Sequence, residues 1–157
     1  MTHRYRDHGL LTSDFLSLIY VRCPHCHQRA SVKPKTDTQA GLFDPRRVSC
    51  PFCGYSKDWH GKQVGGGSAS APTDWYFHLP LWLQISCCGK PLWAYNRDHL
   101  DFIENYVQAI LREGLSEQAT AVFKNKTAAS RLPKWIKRAK NRQKILKKIA
   151  VLRSTLT

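Results

Sequence analysis

The sequence predicts an α+β protein, and three observations carry that reading. Two Cys-x-x-Cys knuckles sit in β-rich surroundings, Cys23-Pro24-His25-Cys26 and Cys50-Pro51-Phe52-Cys53-Gly54. An aromatic stretch, Trp75 to Cys87, is followed across Cys88-Gly89-Lys90 by a second short apolar run, Pro91 to Tyr95. Leu100, Ile103, Val107 and Ile110 then recur at helical spacing.

Around the first knuckle, Asp14 to Arg22 is β-rich and apolar and reads as an entering strand, with Gln28 to Lys33 returning. Pro34 to Arg47 carries Pro, Asp, Thr and Gly and reads as a loop. Arg46 to Ser49 enters the second knuckle, and Tyr55 to Val64 leaves it. Residues 1–64 form one unit on this reading. Residues 65–73 contain GGGSASAP, which has no large side chain and reads as a linker. Residues 74–114 follow as hairpin and helix. Gly89 supplies the positive φ of a tight turn. Asn96 or Asp98 caps the helix, which runs to about Glu113 before a C′ glycine at Gly114. Most of the core is expected between Trp75 and Leu111. Residues 115–157 form a basic helical tail. Ser116 can cap a short helix, and Pro133 starts a long one from Lys134 to about Arg153. On that helix Trp135, Ala139, Leu146, Ile149 and Ala150 share one side. Lys137, Lys140, Lys144, Lys147 and Lys148 share the other.

The chain has 157 residues, is 42% hydrophobic and 11% aromatic, and so has the means to bury a core. Its net charge of +14 favours an anionic partner. The first nine residues are polar, and no run is long enough to cross a bilayer. A cytoplasmic protein with reduced thiols is expected. In that setting six cysteines read as metal ligands or core residues rather than disulfides.

Cys23, Cys26, Cys50 and Cys53 are the expected ligands of one structural zinc ion. Two intervening residues let each knuckle aim both sulfurs at one point, and two knuckles complete a tetrahedron. The gap between the pairs exceeds the usual spacing of about 15–20 residues, and the loop holding Gly41 and Pro45 absorbs it. A redox Cys-x-x-Cys would need a βαβ context, and a catalytic zinc would need an open position. His25 and His27 flank the first knuckle and read as exposed or hydrogen-bonded residues. Cys87 and Cys88 read as buried or hairpin thiols; the alternative is a second metal site recruiting His78 or His99.

No acidic residue follows Glu117, so the basic stretch has nothing of opposite sign to pair with along its own length. Arg131, Lys134, Lys137, Arg138, Lys140, Lys144, Lys147 and Lys148 are the candidate nucleic-acid contacts, to DNA or RNA. Phe52, Tyr55 and Trp59 either stack on bases or pack inside the ribbon. Trp135, Ile145, Leu146, Ile149 and Leu152 would anchor the same helix in a membrane surface, the competing reading. A further alternative is a protein-interaction module docking on a polymerase, a ribosome or another cytosolic protein. No carboxylate pair, nucleophile elbow or phosphate-binding glycine loop marks an enzyme.

The knuckle Cys50-Pro51-Phe52-Cys53-Gly54 resembles the zinc ribbon of transcription factor IIB. Together with Cys87-Cys88-Gly89-Lys90-Pro91-Leu92-Trp93-Ala94-Tyr95-Asn96, His99-Leu100-Asp101, Asn125-Lys126 and Ser130-Arg131-Leu132-Pro133-Lys134-Trp135, it is similar to bacterial proteins described only as transcription factor IIB-type zinc-ribbon-containing proteins. The resemblance spans most of the chain outside the loop and linker. It implies a zinc ion and an association with nucleic acid, and it implies no activity. Transcription factor IIB continues into cyclin-like helical repeats, which this chain is too short to hold.

Overall fold

Alternation of small β-branched residues with polar ones builds a four-stranded antiparallel sheet in the order β2-β3-β4-β5. Its strands are β2 (Ile19–Arg22), β3 (Arg29–Pro34), β4 (Arg46–Ser49) and β5 (Ser56–Trp59). The computed structural model describes residues 4–36, 41–61, 72–109, 111–113 and 127–157. Register places Ile19 opposite Val32, Val21 opposite Ala30, and Val32 opposite Val48, all fully buried on one face. Each such Val or Ile contributes about 1.5–3 kcal/mol relative to exposure. The expected entering strand is shorter than Asp14–Arg22. Thr12–Phe15 form a 3₁₀ turn instead, held by Asp14 Oδ2 accepting the Leu11 N–H at 2.7 Å. β5 likewise ends at Trp59, and Val64 lies outside the described residues.

The outer edge of β2 is covered rather than open. The Tyr20 and Arg22 N–H groups donate to the Tyr95 and Pro80 carbonyls, at 2.8 and 2.9 Å, and Trp82 N–H donates back to Tyr20. The knuckle-bearing sheet is thereby tied to the hairpin formed by β6 (Leu83–Cys87) and β7 (Lys90–Ala94). Cys88 and Gly89 both have positive φ, 55° and 75°, which suits a two-residue hairpin turn. The stretch before β6 is not strand. Asp74 is sealed from water and accepts the N–H groups of Tyr76, Phe77 and Leu79, which folds 74–79 into a turn. Residues 65–71 of the expected linker lie outside the described residues.

Helix α1 (Arg97–Gln108) starts where expected, with Asn96 Oδ1 accepting the His99 N–H at 2.9 Å. It stops well short of Glu113. Arg142 Nε donates to the Val107 carbonyl at 2.9 Å and Nη2 to that of Ala109 at 3.4 Å, so a cation satisfies the final carbonyls. The chain then forms β8 (Leu111–Glu113), parallel to β1 (Arg4–Arg6). Gly114 and the helix expected after Ser116 lie outside the described residues, as do Lys124, Asn125 and Lys126.

The single long C-terminal helix is contradicted. Pro133 does open a helix, α2 (Lys134–Lys137), but Arg138 is extended and a 3₁₀ turn at Ala139–Asn141 follows. Helix α3 (Arg142–Ser154) then starts afresh. The buried Asn141 side chain donates to the Trp135 carbonyl at 2.8 Å and stabilises the break. Restarting the helix changes which face is apolar. Ile145, Ile149 and Leu152 are buried, with Ile136 and Leu156, while Ala139 and Ala150 are exposed. Helix α3 packs on α1 and β6, and Arg153 bridges Asp101 and Glu104 of α1. The expected tail is therefore a wall of the core. That core reaches beyond Trp75–Leu111 to Phe15, Leu16, the β2–β4 valines and α3.

Candidate metal centre

Both knuckles are built by the same local bonds. In the first, Cys23 N–H donates to the Gln28 carbonyl at 2.8 Å, and His27 N–H donates to that of Cys23 at 3.0 Å. In the second, Cys50 N–H donates to Tyr55 at 2.8 Å, and Gly54 N–H donates to Cys50 at 3.0 Å. His27 thus stands where Gly54 stands, and both take positive φ, 63° and 78°. Glycine adopts this conformation without strain, whereas histidine accepts a modest cost there. The equivalence was hidden in the sequence because only the second knuckle carries glycine.

The register of β2, β3 and β4 brings the knuckles together at one end of the sheet. Cys23 Sγ lies 3.6 Å from Cys53 Sγ, and Cys26 Sγ lies 3.5 Å from Cys50 Sγ. All four sulfurs fall within 4.8 Å of one another. Four thiolates at the usual zinc–sulfur distance of about 2.3 Å would sit about 3.8 Å apart at tetrahedral corners. The cluster is therefore of the right size, and the four cysteines can hold one metal ion.

The four thiols perturb one another's ionisation. Burial pushes the Cys23 thiol up, but the Cys26 and His25 amides and the neighbouring thiols pull harder and bring it to about 7. At Cys26 the Gln28 amide favours the thiolate, yet burial and the three other thiols outweigh it and raise the group to about 12. Cys53 is also raised: burial and the nearby Cys23 outweigh the pull of the Tyr55 amide. The first proton leaves readily and the later ones do not, because adjacent thiolates repel. A bound metal would displace those protons.

Both knuckle histidines are exposed, with the His25 ring 4.6 Å from that of Tyr55. The three knuckle-side aromatics divide. Phe52 is 64% exposed, while Tyr55 and Trp59 are half-buried, Trp59 edge-on to Tyr76 at 4.8 Å. Cys87 and Cys88 have sulfurs 3.7 Å apart, but no histidine or acid joins them in a metal-sized cluster among the described residues. His99 is instead buried in α1, and its Nδ1 accepts the Tyr95 N–H.

The candidate nucleic-acid contacts do not form one helix face. Lys134, Arg138, Lys140, Lys144 and Lys147 are exposed and Lys148 is half-buried; among the described residues none of their side chains has a hydrogen-bond or ion-pair partner. Lys137 is tied to the Ser130 carbonyl, and Arg131 lies exposed on the turn before α2. The proposed membrane anchors Ile145, Ile149 and Leu152 are spent inside the core, which removes the interfacial-helix reading. No described helix is long and apolar enough to cross a membrane. Arg46 was read only as the start of the strand entering the second knuckle; it is 3% exposed and lies over the Tyr76 ring at 4.8 Å. Its Nη2 also donates to the Gly41 carbonyl, fixing the loop before the second knuckle. Comparison with protein-family models, curated proteins and solved structures finds no match.

Proposed function

We propose that the four cysteines hold one structural zinc ion, making residues 19–59 a zinc ribbon, and that the protein is a non-enzymatic nucleic-acid-binding protein. The thiolate-only donor set supports zinc: four soft ligands close its shell and leave no position for chemistry. The observation that carries nucleic-acid binding is the uncompensated charge of the C-terminal segment. Lys144, Lys147 and Lys148 lie on α3 and Lys140 on the 3₁₀ turn before it, and none of them pairs with a carboxylate among the described residues. A face of one sign repels itself until a polyanion neutralises it. The resemblance to transcription factor IIB-type ribbon proteins points the same way.

The test is fluorescence anisotropy with labelled duplex DNA, single-stranded DNA and RNA across a salt series. Replacing Lys140, Lys144, Lys147 and Lys148 by Gln removes four charges and keeps helix propensity at the three positions on α3. Each lost phosphate contact lowers the duplex salt slope by roughly 0.9, so the quadruple variant should lose about 3–4 units of slope. Undiminished binding to all three probes would overturn the proposal.

A second reading draws on Phe52, whose ring stands 64% exposed at the tip of the second knuckle. An exposed knuckle aromatic suits docking onto a protein surface. Recovery of one defined protein partner after nuclease treatment, lost in Phe52→Ala, would favour it.

A further inference from the structure

The turn between β6 and β7 carries two adjacent thiols outside the four-cysteine cluster. Cys87 closes β6 opposite Lys90 and is buried, whereas Cys88 stands exposed in the turn. Consecutive residues of a strand place their side chains on opposite faces. The positive φ of Cys88, 55°, breaks that alternation, and the two Sγ atoms come within 3.7 Å of each other. Glycine, asparagine and aspartate take such a turn position at little cost, and cysteine does not. A costly conformation thus holds an exposed thiol against a buried one.

Geometry limits what this pair can hold. Two sulfurs 3.7 Å apart, each about 2.3 Å from a shared centre, subtend about 107° there. A linear two-thiolate centre, as monovalent copper forms, would need them about 4.6 Å apart. Zinc would lack two of its four ligands, since no histidine or acid joins the pair in a metal-sized cluster among the described residues. Charge limits it further. Burial and then the Cys88 thiol push Cys87 up to about 11, against the pull of Lys148 and Lys144. Cys87 is thus a neutral thiol at pH 7, and a metal ion would have to strip its proton and leave charge at a buried atom. A ligand that condenses with two thiols to a bent, neutral product meets neither obstacle.

We propose that Cys87 and Cys88 form a dithiol site for a trivalent organoarsenical, R–As(OH)₂. Cys88 Sγ reacts first because it is exposed, and Cys87 Sγ closes the ring. Two As–S bonds form and two As–O bonds break. Each thiol proton leaves with a hydroxide as water, and arsenic stays trivalent throughout. The R group completes the pyramidal shell, so no third protein ligand is needed. The product is uncharged, which suits the buried Cys87. Neither sulfur belongs to the four-cysteine cluster or to the lysines of the C-terminal segment, so the site stands or falls independently of the function proposed above.

The experiment is titration of the full, reduced, zinc-loaded chain with phenylarsine oxide, which hydrates to the diol, with uptake read by native mass spectrometry. One phenylarsenic group should replace two hydrogens per chain while the zinc is retained. Excess 2-mercaptoethanol should leave it in place, and 1,2-ethanedithiol should remove it. Cys88→Ser changes an exposed side chain and leaves one thiol. It should keep its zinc and weaken uptake by about a hundredfold or more, because the second thiol acts at high effective concentration. Cys87→Ala should do the same from the buried side. Absence of uptake at micromolar concentration would overturn the proposal. So would uptake that occurs only with loss of zinc, uptake undiminished in Cys88→Ser, or equal removal by the monothiol and the dithiol.

Discussion

Asn96 joins three parts of the chain, and its replacement should show that they fold as one. Its Oδ1 caps α1 at His99, while its Nδ2 donates to the Phe15 and Leu18 carbonyls at 2.8 and 2.6 Å. Loss of a cap costs about 1 kcal/mol. Each carbonyl left without its donor adds about 1–3 kcal/mol, nearer the lower end where water enters. Asn96→Ala should therefore destabilise by about 3–5 kcal/mol, a fall in melting temperature on the order of 10 °C for a chain of this size. Asn96→Asp is the discriminating variant. Asp is as good a cap as Asn, but its oxygens would face two carbonyls from which a donor has been removed. At pH 7 it should cost at least as much as Ala. Urea unfolding in reducing, zinc-replete buffer reads both. If Asn96→Asp lies within about 1 kcal/mol of the parent, Asn96 is only a cap, and the bridge to Phe15 and Leu18 carries no weight.

Burial pushes the His99 imidazole from 6.5 down to about 4. The unfolded chain then takes the proton first, so this contribution is complete above about pH 6.5 and is lost as pH falls toward 4. Chemical denaturation across that window should show a decline of about 3 kcal/mol in the parent that His99→Phe flattens. Cys50→Ser should lose the metal and open the ribbon to protease, whereas Cys88→Ser should keep both its metal and its resistance; elemental analysis with limited proteolysis separates the two.

The antiparallel strands around the two knuckles and the meeting of their four cysteines were legible in the sequence because the rules are local. Two knuckles of fixed spacing and alternating Ile, Val and Ala residues specify strands and register with little help from elsewhere. The Cys88-Gly89 turn was readable for the same reason, and so was the cap of α1, down to a choice between Asn96 and Asp98. Helix ends were not, because distant residues set them. Arg142 terminates α1 from a separate segment, and Asn141 stabilises a break that Lys134–Arg153 periodicity does not announce. That break shifts the wheel, so Ala139 and Ala150 were placed on the apolar face that belongs to Ile145 and Leu152. The Tyr20–Tyr95 and Arg22–Pro80 bonds, which merge the four-stranded sheet and the hairpin, join residues far apart in sequence and leave no pattern in either.

The cysteine cluster is the central claim, and X-ray absorption at the zinc edge tests it most directly. Protein purified from zinc-replete, reducing medium should contain about one zinc per chain. Its first shell should fit four sulfur atoms at about 2.3 Å with no nitrogen or oxygen scatterer. A metal-free protein, or a shell in which a lighter atom replaces one of the sulfurs of Cys23, Cys26, Cys50 and Cys53, would contradict the account.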